Sequence, residues 1–159
     1  MSSQKITRIV AAVAGFAALT LVLGLGVASV SASPRKGDLH VTKECPPSTY
    51  AGAAGDFCTI TSSNVAAIEV GSKIFYDQAA NTPTGLLDSN IVLVVGTGAW
   101  AVGRCTLDLE TYLGVCTLSD GTGPLAGFHA RVDVSYAGGP SGFDFDWDGT
   151  YSFTPAGDR

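Results

Sequence analysis

Residues 143–153 read FDFDWDGTYSF, and this stretch decides the fold class. Aromatic side chains alternate with acidic ones, and the period of two continues past Gly149 through Tyr151. Successive side chains of a β-strand point to opposite faces, so the pattern predicts a strand with an aromatic inner face and an acidic outer face. The D-x-D-x-D-G core also imitates the start of an EF-hand calcium loop. However, Pro155 stands where the twelfth-position glutamate belongs, and we favour the strand.

The chain before this stretch consists of short β-rich segments separated by turn residues. Seven further strands are predicted, at 57–61, 65–70, 73–78, 90–95, 100–109, 115–118 and 128–136. Eight strands joined in order either leave two bare edges or close on themselves, and closure removes the edges. We therefore predict an all-β, eight-stranded antiparallel β-barrel of the calycin-like kind over residues 56–155, followed by a tail at 156–159.

Four segments between residues 103 and 153 carry a resemblance to a known family. They are 103–108, 114–117, 120–128 and 147–151. The glycine turn is similar to the dirigent signature G-G-T-G-x-F-x-x-A-x-G, with Asp120 in place of the first glycine and Leu125 in place of the aromatic residue. This part of the chain resembles the allene oxide cyclase barrel-like family, as a bacterial-type exported member, and more weakly the dirigent proteins. The resemblance implies an eight-stranded barrel with an apolar cavity. It also implies that any activity, as in plant cyclases, would come from shaping a bound reactant.

The first 32 residues have the pattern of an export signal. Lys5 and Arg8 give a short basic start, residues 9–28 are apolar, and small residues ending at Ala32 fit a signal-peptidase site. We predict a signal peptide at 1–32, cleavage after Ala32 and a secreted, extracellular protein. An uncleaved anchor is the alternative, since about twenty apolar residues can span a bilayer.

The charge of the chain excludes two classes of partner. It has 9 basic and 14 acidic side chains, for a net charge of −5. Removal of residues 1–32 takes two basic side chains and no acidic one, so seven remain against fourteen and the net charge becomes −7. Nucleic acids and anionic membrane surfaces attract an excess of lysine and arginine. We therefore expect no nucleic-acid partner and, after cleavage, no membrane partner.

The four cysteines predict a disulfide framework. Cys45, Cys58, Cys105 and Cys116 all lie in the exported part, and an even number there indicates two disulfides with three possible pairings. We favour Cys45–Cys58 and Cys105–Cys116, because each pair is close in sequence and the second straddles a turn. Zinc is the alternative, but C-x2-C spacing is missing, so we expect no metal and no cofactor. Residues 33–55 are predicted to be a flexible leader that the first disulfide ties to the domain.

Two strands carry polar side chains whose direction decides their role. His129, Arg131 and Asp133 share one face of their strand, and an inward His129 beside Asp133 would form a proton-transfer site. Burying three ionisable groups is costly, so we favour the opposite, apolar face as the inner one. Arg104, if it points inward, is the candidate for holding a carboxylate or a phenolate. Which face of residues 100–109 lines the barrel stays open.

The barrel and its aromatic strand suggest a binding function. The predicted ligand-lining side chains are Tyr76, Phe145, Trp147, Tyr151 and Arg104. The catalytic residues are unknown, since neither a nucleophile elbow nor a phosphate loop is present. We predict an exported module that binds a small apolar or aromatic ligand, or that serves as a stable extracellular domain without catalysis. The alternative is a cyclase- or isomerase-like enzyme that confines a lipid-derived or phenolic substrate. A solidly packed barrel would argue against both.

Overall fold

The computed structural model describes residues 36–96, 98–140 and 142–154. The predicted signal peptide, its cleavage after Ala32 and the tail at 156–159 lie outside the described residues. Within the described ranges, no helix is long and apolar enough to cross a membrane.

The described chain folds into a closed barrel of eight antiparallel strands. The strands are β1 (Lys36–Glu44), β2 (Phe57–Ser63), β3 (Lys73–Tyr76), β4 (Leu86–Val94), β5 (Trp100–Asp108), β6 (Gly114–Ser119), β7 (Phe128–Gly138) and β8 (Asp144–Phe153). Each strand pairs with its neighbours in sequence, and β1 pairs with β8. Closure removes the sheet edges, and the predicted all-β, eight-stranded antiparallel barrel is confirmed.

Two of the predicted segment assignments were wrong. The leader predicted at 33–55 contains β1, which pairs with β8 along its whole length, so the barrel begins well before residue 56. The strand predicted at 65–70 is instead a turn, in which the Ile68 N–H bonds to the Val65 carbonyl at 2.8 Å. Both of these side chains are buried in the core. The turn at 65–70 resembles a strand in sequence because its apolar residues pack against the barrel. Strand β1 resembles a polar leader in sequence because its outer face is charged.

Side chains fill the middle of the barrel. The largest fully buried ones include Trp147, Phe128, Leu39, Ile60, Ile74, Ile91, Leu93 and Val132. They come from β1, β2, β3, β4, β7 and β8, so nearly every side of the barrel contributes to one core. A barrel of eight strands is just wide enough for such side chains to fill it. A ligand therefore has to bind at an end or on the outer surface.

The last strand has the two faces predicted for it except at its first residue, Asp144, which is buried. Its buried aromatic side chains are Phe145, Trp147 and Tyr151. On the outer face, Asp146 accepts a hydrogen bond from the Thr42 hydroxyl at 2.8 Å, and Asp148 lies 2.6 Å from the His40 ring nitrogen. Gly149 occupies an inner position where a Cβ would lie 2.1 Å from a backbone carbonyl oxygen of β7. The acidic residues thus join β8 to β1 across the seam that closes the barrel.

Strand β5 presents its small residues to the interior. Ala101 and Cys105 are buried, whereas Arg104 is exposed. The pairing with β4 and β6 continues in one register past Gly103, so a bulge does not switch the faces there. A Cβ at Gly103 would lie 1.9 Å from the Thr117 carbonyl oxygen, which explains the glycine. The face of β5 that carries Ala101, Gly103 and Cys105 therefore lines the barrel, which the sequence alone did not decide.

Both favoured disulfides are present. The Cα atoms of Cys45 and Cys58 lie 4.4 Å apart, and those of Cys105 and Cys116 lie 4.1 Å apart. The first links the residue after β1 to β2, and the second joins directly opposed residues of β5 and β6. Two disulfides are compatible with an extracellular protein, because such bonds persist in oxidising compartments.

Candidate functional site

One end of the barrel carries an open apolar depression. We call this the Lys43 end, where β1, β3, β5 and β7 finish. The depression, which we call the mouth, has a volume of about 830 Å³. Its lining includes Tyr50, Leu107, Leu109, Tyr112, Phe143 and Phe145. Pockets that bind small molecules have volumes of roughly 300–1,000 Å³ and predominantly apolar linings, so the mouth has suitable dimensions.

Three aromatic rings, of which Tyr112 and Phe145 line the mouth, pack together beside it. The ring centroid of Tyr112 lies 5.5 Å from that of Tyr136 and 6.2 Å from that of Phe145. The rings of Tyr136 and Phe145 are 5.7 Å apart. Tyr112 and Tyr136 are 40% and 48% exposed, and the nearby Phe143 is 43% exposed. Exposed apolar side chains gathered in one patch are typical of a ligand or partner site.

A tight turn between β5 and β6 holds Tyr112 in this position. The Asp108 carboxylate accepts hydrogen bonds from the backbone N–H groups of Glu110 at 2.9 Å and Thr111 at 2.8 Å. These bonds lower the pKa of Asp108. Tyr112 itself has a φ of 55°, in the left-handed region that side chains other than glycine rarely adopt. The surrounding hydrogen bonds thus hold an aromatic ring on a strained backbone at the rim of the mouth.

Beneath the mouth lies a buried amine. Lys43 is 4% exposed, because it occupies the next inward position of β1 after Leu39 and Val41. Its Nζ atom donates a hydrogen bond to the hydroxyl of Tyr76. The same atom lies 4.8 Å from the ring centroid of Trp147. Aromatic faces attract an ammonium group, so these rings favour an inward orientation of the side chain.

Carboxylates do not neutralise Lys43 within the described part of the chain. The two ion pairs recorded there, His40–Asp148 and Arg104–Asp88, both lie on the outer surface. Burial disfavours the charged form and lowers the pKa of Lys43 from 10.5 to about 7. Near pH 7 a substantial fraction of the amine is therefore neutral. A neutral lysine amine is able to act as a base or a nucleophile.

A small inner cavity borders this amine and adjoins the mouth. The cavity has a volume of about 30 Å³ and is lined in part by Lys43 and Tyr76. Four further residues line both the inner cavity and the mouth: Cys45, Tyr50, Leu107 and Phe145. Burial raises the pKa of Tyr50 to about 12, with the Asp56 carboxylate adding to the effect, and burial also raises the pKa of Tyr76. Both phenols therefore keep their protons at neutral pH.

The structure brings three of the five predicted ligand-lining residues together. The rings of Tyr76, Phe145 and Trp147 all lie within 5.7 Å of the Lys43 Nζ atom. Tyr151 lies toward the opposite end, where its ring is 6.2 Å from that of Phe128. It lines a separate depression of about 710 Å³ along β1, β7 and β8.

Arg104 does not point into the barrel, which was the condition for its role in holding a carboxylate or a phenolate. Its guanidinium donates to the Asp88 carboxylate at 2.7 Å, and 57% of its side chain is exposed. It borders an outer-surface depression of about 470 Å³ that also includes Asp77 and Asn90. The physical reason is the register of β5, which turns Cys105 and its disulfide inward and therefore Arg104 outward.

The polar row on β7 also faces outward, as favoured. His129, Arg131 and Asp133 are exposed, while Val132 and Val134 between and after them are buried. The inward proton-transfer arrangement is therefore not formed. The cost of burying three ionisable groups explains why the apolar face is the inner one.

Lys43 was not predicted as a site residue, because it lies in the segment that was assigned to the leader. The pattern that predicts it is an alternation in which Leu39, Val41, Lys43 and Cys45 share one face. Leu39 and Val41 are apolar and Cys45 forms a disulfide, so the alternation indicates a strand with one inward lysine. Its aromatic neighbours come from β3 and β8, and only closure of the barrel brings them to β1.

Comparisons with protein-family models, with curated proteins and with solved structures found no match for this chain.

Proposed function

We propose that this chain is an exported binding module whose mouth holds a small apolar or aromatic ligand. The observation that supports the proposal most strongly is the apolar depression of about 830 Å³ at one end of a barrel whose middle is filled. A planar ligand in the mouth would contact the rings of Tyr112, Phe143 and Phe145. Burial of apolar surface contributes roughly 25 cal/mol per Å², which supplies the binding energy without a catalytic group.

Binding is favoured over catalysis because the polar side chains that could have formed a catalytic site point into solvent. An inward Arg104, or an inward His129 with Asp133, would have supported a cyclase- or isomerase-like reaction. All three side chains are exposed. The filled middle of the barrel also leaves little room for confining a lipid-derived substrate there. The enzyme alternative would have to rest on Lys43 and Tyr76 alone.

Export and family membership are part of the same proposal. Secretion with cleavage after Ala32 is supported by the two disulfides, which suit an oxidising compartment. Membership of the allene oxide cyclase barrel-like family is supported by the closed eight-stranded antiparallel barrel that the resemblance implies. The apolar cavity that the resemblance also implies is not found in the middle of the barrel, which side chains fill.

The proposal is tested by titrating the protein with 2-naphthol, a neutral aromatic probe, in a calorimeter. We expect saturable binding to the wild type. Phe143→Ser removes part of the apolar lining, and we expect the Kd to rise about fivefold, which corresponds to the loss of roughly 1 kcal/mol of apolar contact.

Val70→Ser is the matched control. Val70 is also a large exposed apolar side chain, 67% exposed, but it precedes β3 at the opposite end of the barrel. Its substitution is expected to leave the Kd unchanged. Absence of saturable binding to the wild type, or an equal loss in both variants, would contradict the proposed site.

A further inference from the structure

The side chain of Lys43 has an environment that structural lysines usually lack. Its Nζ atom is held between the rings of Trp147, Tyr76 and Phe145, at 4.8, 5.2 and 5.7 Å from their centroids. The other two described lysines, Lys36 and Lys73, are exposed. A structural lysine is expected to reach water or a carboxylate, because burial of an isolated ammonium group is costly.

The other side chains that line the inner cavity beside Lys43 are neutral at physiological pH. The titratable ones are the phenols of Tyr76, which contacts Nζ, and of Tyr50, whose ring centroid lies 5.1 Å from that of Tyr76. Burial raises the pKa of both. The disulfide Cys45–Cys58 forms another part of the wall and does not titrate. This site therefore favours a neutral amine over an ion pair.

The space beside this amine adjoins the mouth, which is open to solvent. The inner cavity of about 30 Å³ borders Lys43, and it shares four lining residues with the mouth. A cavity of this size exceeds the roughly 10–15 Å³ that one water molecule needs, so it has room for the two heavy atoms of an aldehyde carbonyl. The body of a larger molecule would stay in the mouth, against the aromatic rim.

We propose that Lys43 captures aromatic or apolar aldehydes from the mouth as a reversible Schiff base. This inference rests on the proposed ligand site and names a ligand class for it. The neutral Nζ atom attacks the carbonyl carbon, and the carbonyl π electrons move to the oxygen. One amine proton transfers to that oxygen, giving a carbinolamine. The nitrogen lone pair then forms the C=N bond as the C–O bond breaks, and the departing hydroxide takes up the second amine proton to leave as one molecule of water.

Tyr76 is placed to assist the proton transfers. Its hydroxyl already accepts a hydrogen bond from Nζ. The same hydroxyl keeps its own proton at neutral pH and is able to relay a proton from the nitrogen to the departing oxygen. Substitution by phenylalanine would leave the ring in the cation–π position and remove only this relay. Tyr76→Phe is therefore expected to slow imine formation more than it weakens binding of 2-naphthol.

Reactivity at neutral pH should be selective for this lysine. With a pKa of about 7, about half of the Lys43 amine is neutral at pH 7. An unperturbed lysine, with a pKa of about 10.4, is neutral to less than about 0.1% at the same pH. The buried amine thus gains an advantage of about 10³-fold in the neutral fraction, before any contribution from holding the aldehyde in place.

The test is reductive trapping with 2-naphthaldehyde and sodium cyanoborohydride at pH 7, followed by peptide mapping by mass spectrometry. We expect one naphthylmethyl group on Lys43, with at least about tenfold less on Lys36 and Lys73, which serve as internal controls. Addition of 2-naphthol in excess is expected to suppress the labelling of Lys43. The α-amino group, with an ordinary pKa near 8, is quantified separately.

Two variants separate reactivity from folding. Lys43→Arg keeps a positive charge and Lys43→Met removes it. Both should lose the major adduct, and circular dichroism reports whether each variant folds. Labelling spread evenly over Lys36 and Lys73, or no adduct on Lys43 while 2-naphthol binds the wild type, would overturn the Schiff base and leave the proposed function standing. Failure of 2-naphthol to bind would instead count against the proposed function itself.

Discussion

The buried amine makes the stability of the barrel depend on pH in a predictable direction. The pKa of Lys43 is about 7 in the folded protein, against a reference value of 10.5. The unfolded chain therefore binds the proton more strongly, and the free energy of unfolding rises with pH between these two values. Below about pH 7 both states are protonated at this site, and its contribution to the slope disappears. We predict that Lys43→Met abolishes this rise.

The magnitude follows from the shift of the pKa. One pKa unit corresponds to about 1.4 kcal/mol, so the slope approaches about 1.4 kcal/mol per pH unit above pH 7. Integrated from pH 7 to about 9.5, the gain of the wild type relative to Lys43→Met is about 3 kcal/mol. At pH 7 the methionine variant should be the more stable protein, because it fills the site without burying an ammonium group.

Urea denaturation with both disulfides intact is the assay, repeated at intervals between pH 7 and about 9.5. Lys73→Met is the matched control, because Lys73 is an exposed strand lysine whose Nζ lies 4.3 Å from the ring centroid of Phe57. The free energy of unfolding of Lys73→Met should change with pH in parallel with that of the wild type. If Lys43→Met also runs parallel to the wild type within about 0.5 kcal/mol, the account of a buried, neutralised amine is refuted.

Three further predictions concern residues of the barrel outside the mouth. Replacing Cys105 and Cys116 together by alanine should lower the free energy of unfolding by about 3 kcal/mol in urea titrations, because the loop they close spans 11 residues. Gly149→Ala should cost about 1–3 kcal/mol or prevent folding, measured by thermal denaturation, since its Cβ would lie 2.1 Å from a carbonyl oxygen. Arg104→Ala should leave 2-naphthol affinity unchanged in calorimetry, because the guanidinium faces solvent.

Each of these has a clear contrary result. A double alanine variant as stable as the wild type would mean that the second disulfide does not constrain the unfolded chain. An unchanged melting temperature in Gly149→Ala would contradict the close approach of β7 and β8. Weakened binding of 2-naphthol in Arg104→Ala would place the ligand on the outer surface beside β5 instead of in the mouth.

The strands that the sequence predicted well are those with strong alternation. In β7 and β8 the apolar residues recur at every second position over about ten residues, and both strands were located within two residues of their observed bounds. Turn glycines and prolines between them helped to place the boundaries. The disulfide pairing followed from proximity along the chain, since both bonds join nearby segments.

The features that escaped prediction depend on long-range packing. Strand β1 carries charged residues on its outer face and Lys43 on its inner face, so its composition resembled a leader. The segment at Val65 and Ile68 is apolar because it is buried, although it forms a turn. The aromatic rings around Lys43 of β1 come from β3 and β8, and these three strands meet only when the barrel closes. The pattern of residues within one short segment does not predict which distant strands will be in contact.

The most direct test of the ligand site is a map of backbone amide chemical shifts recorded by NMR as 2-naphthol is added. We predict that the shifts concentrate at the Lys43 end, around Tyr50, Tyr112 and Phe145, and leave Val70 and Trp100 at the opposite end unchanged. Shifts that concentrate at the outer depression beside Arg104, or that are absent around the mouth at saturating probe, would contradict the proposed site.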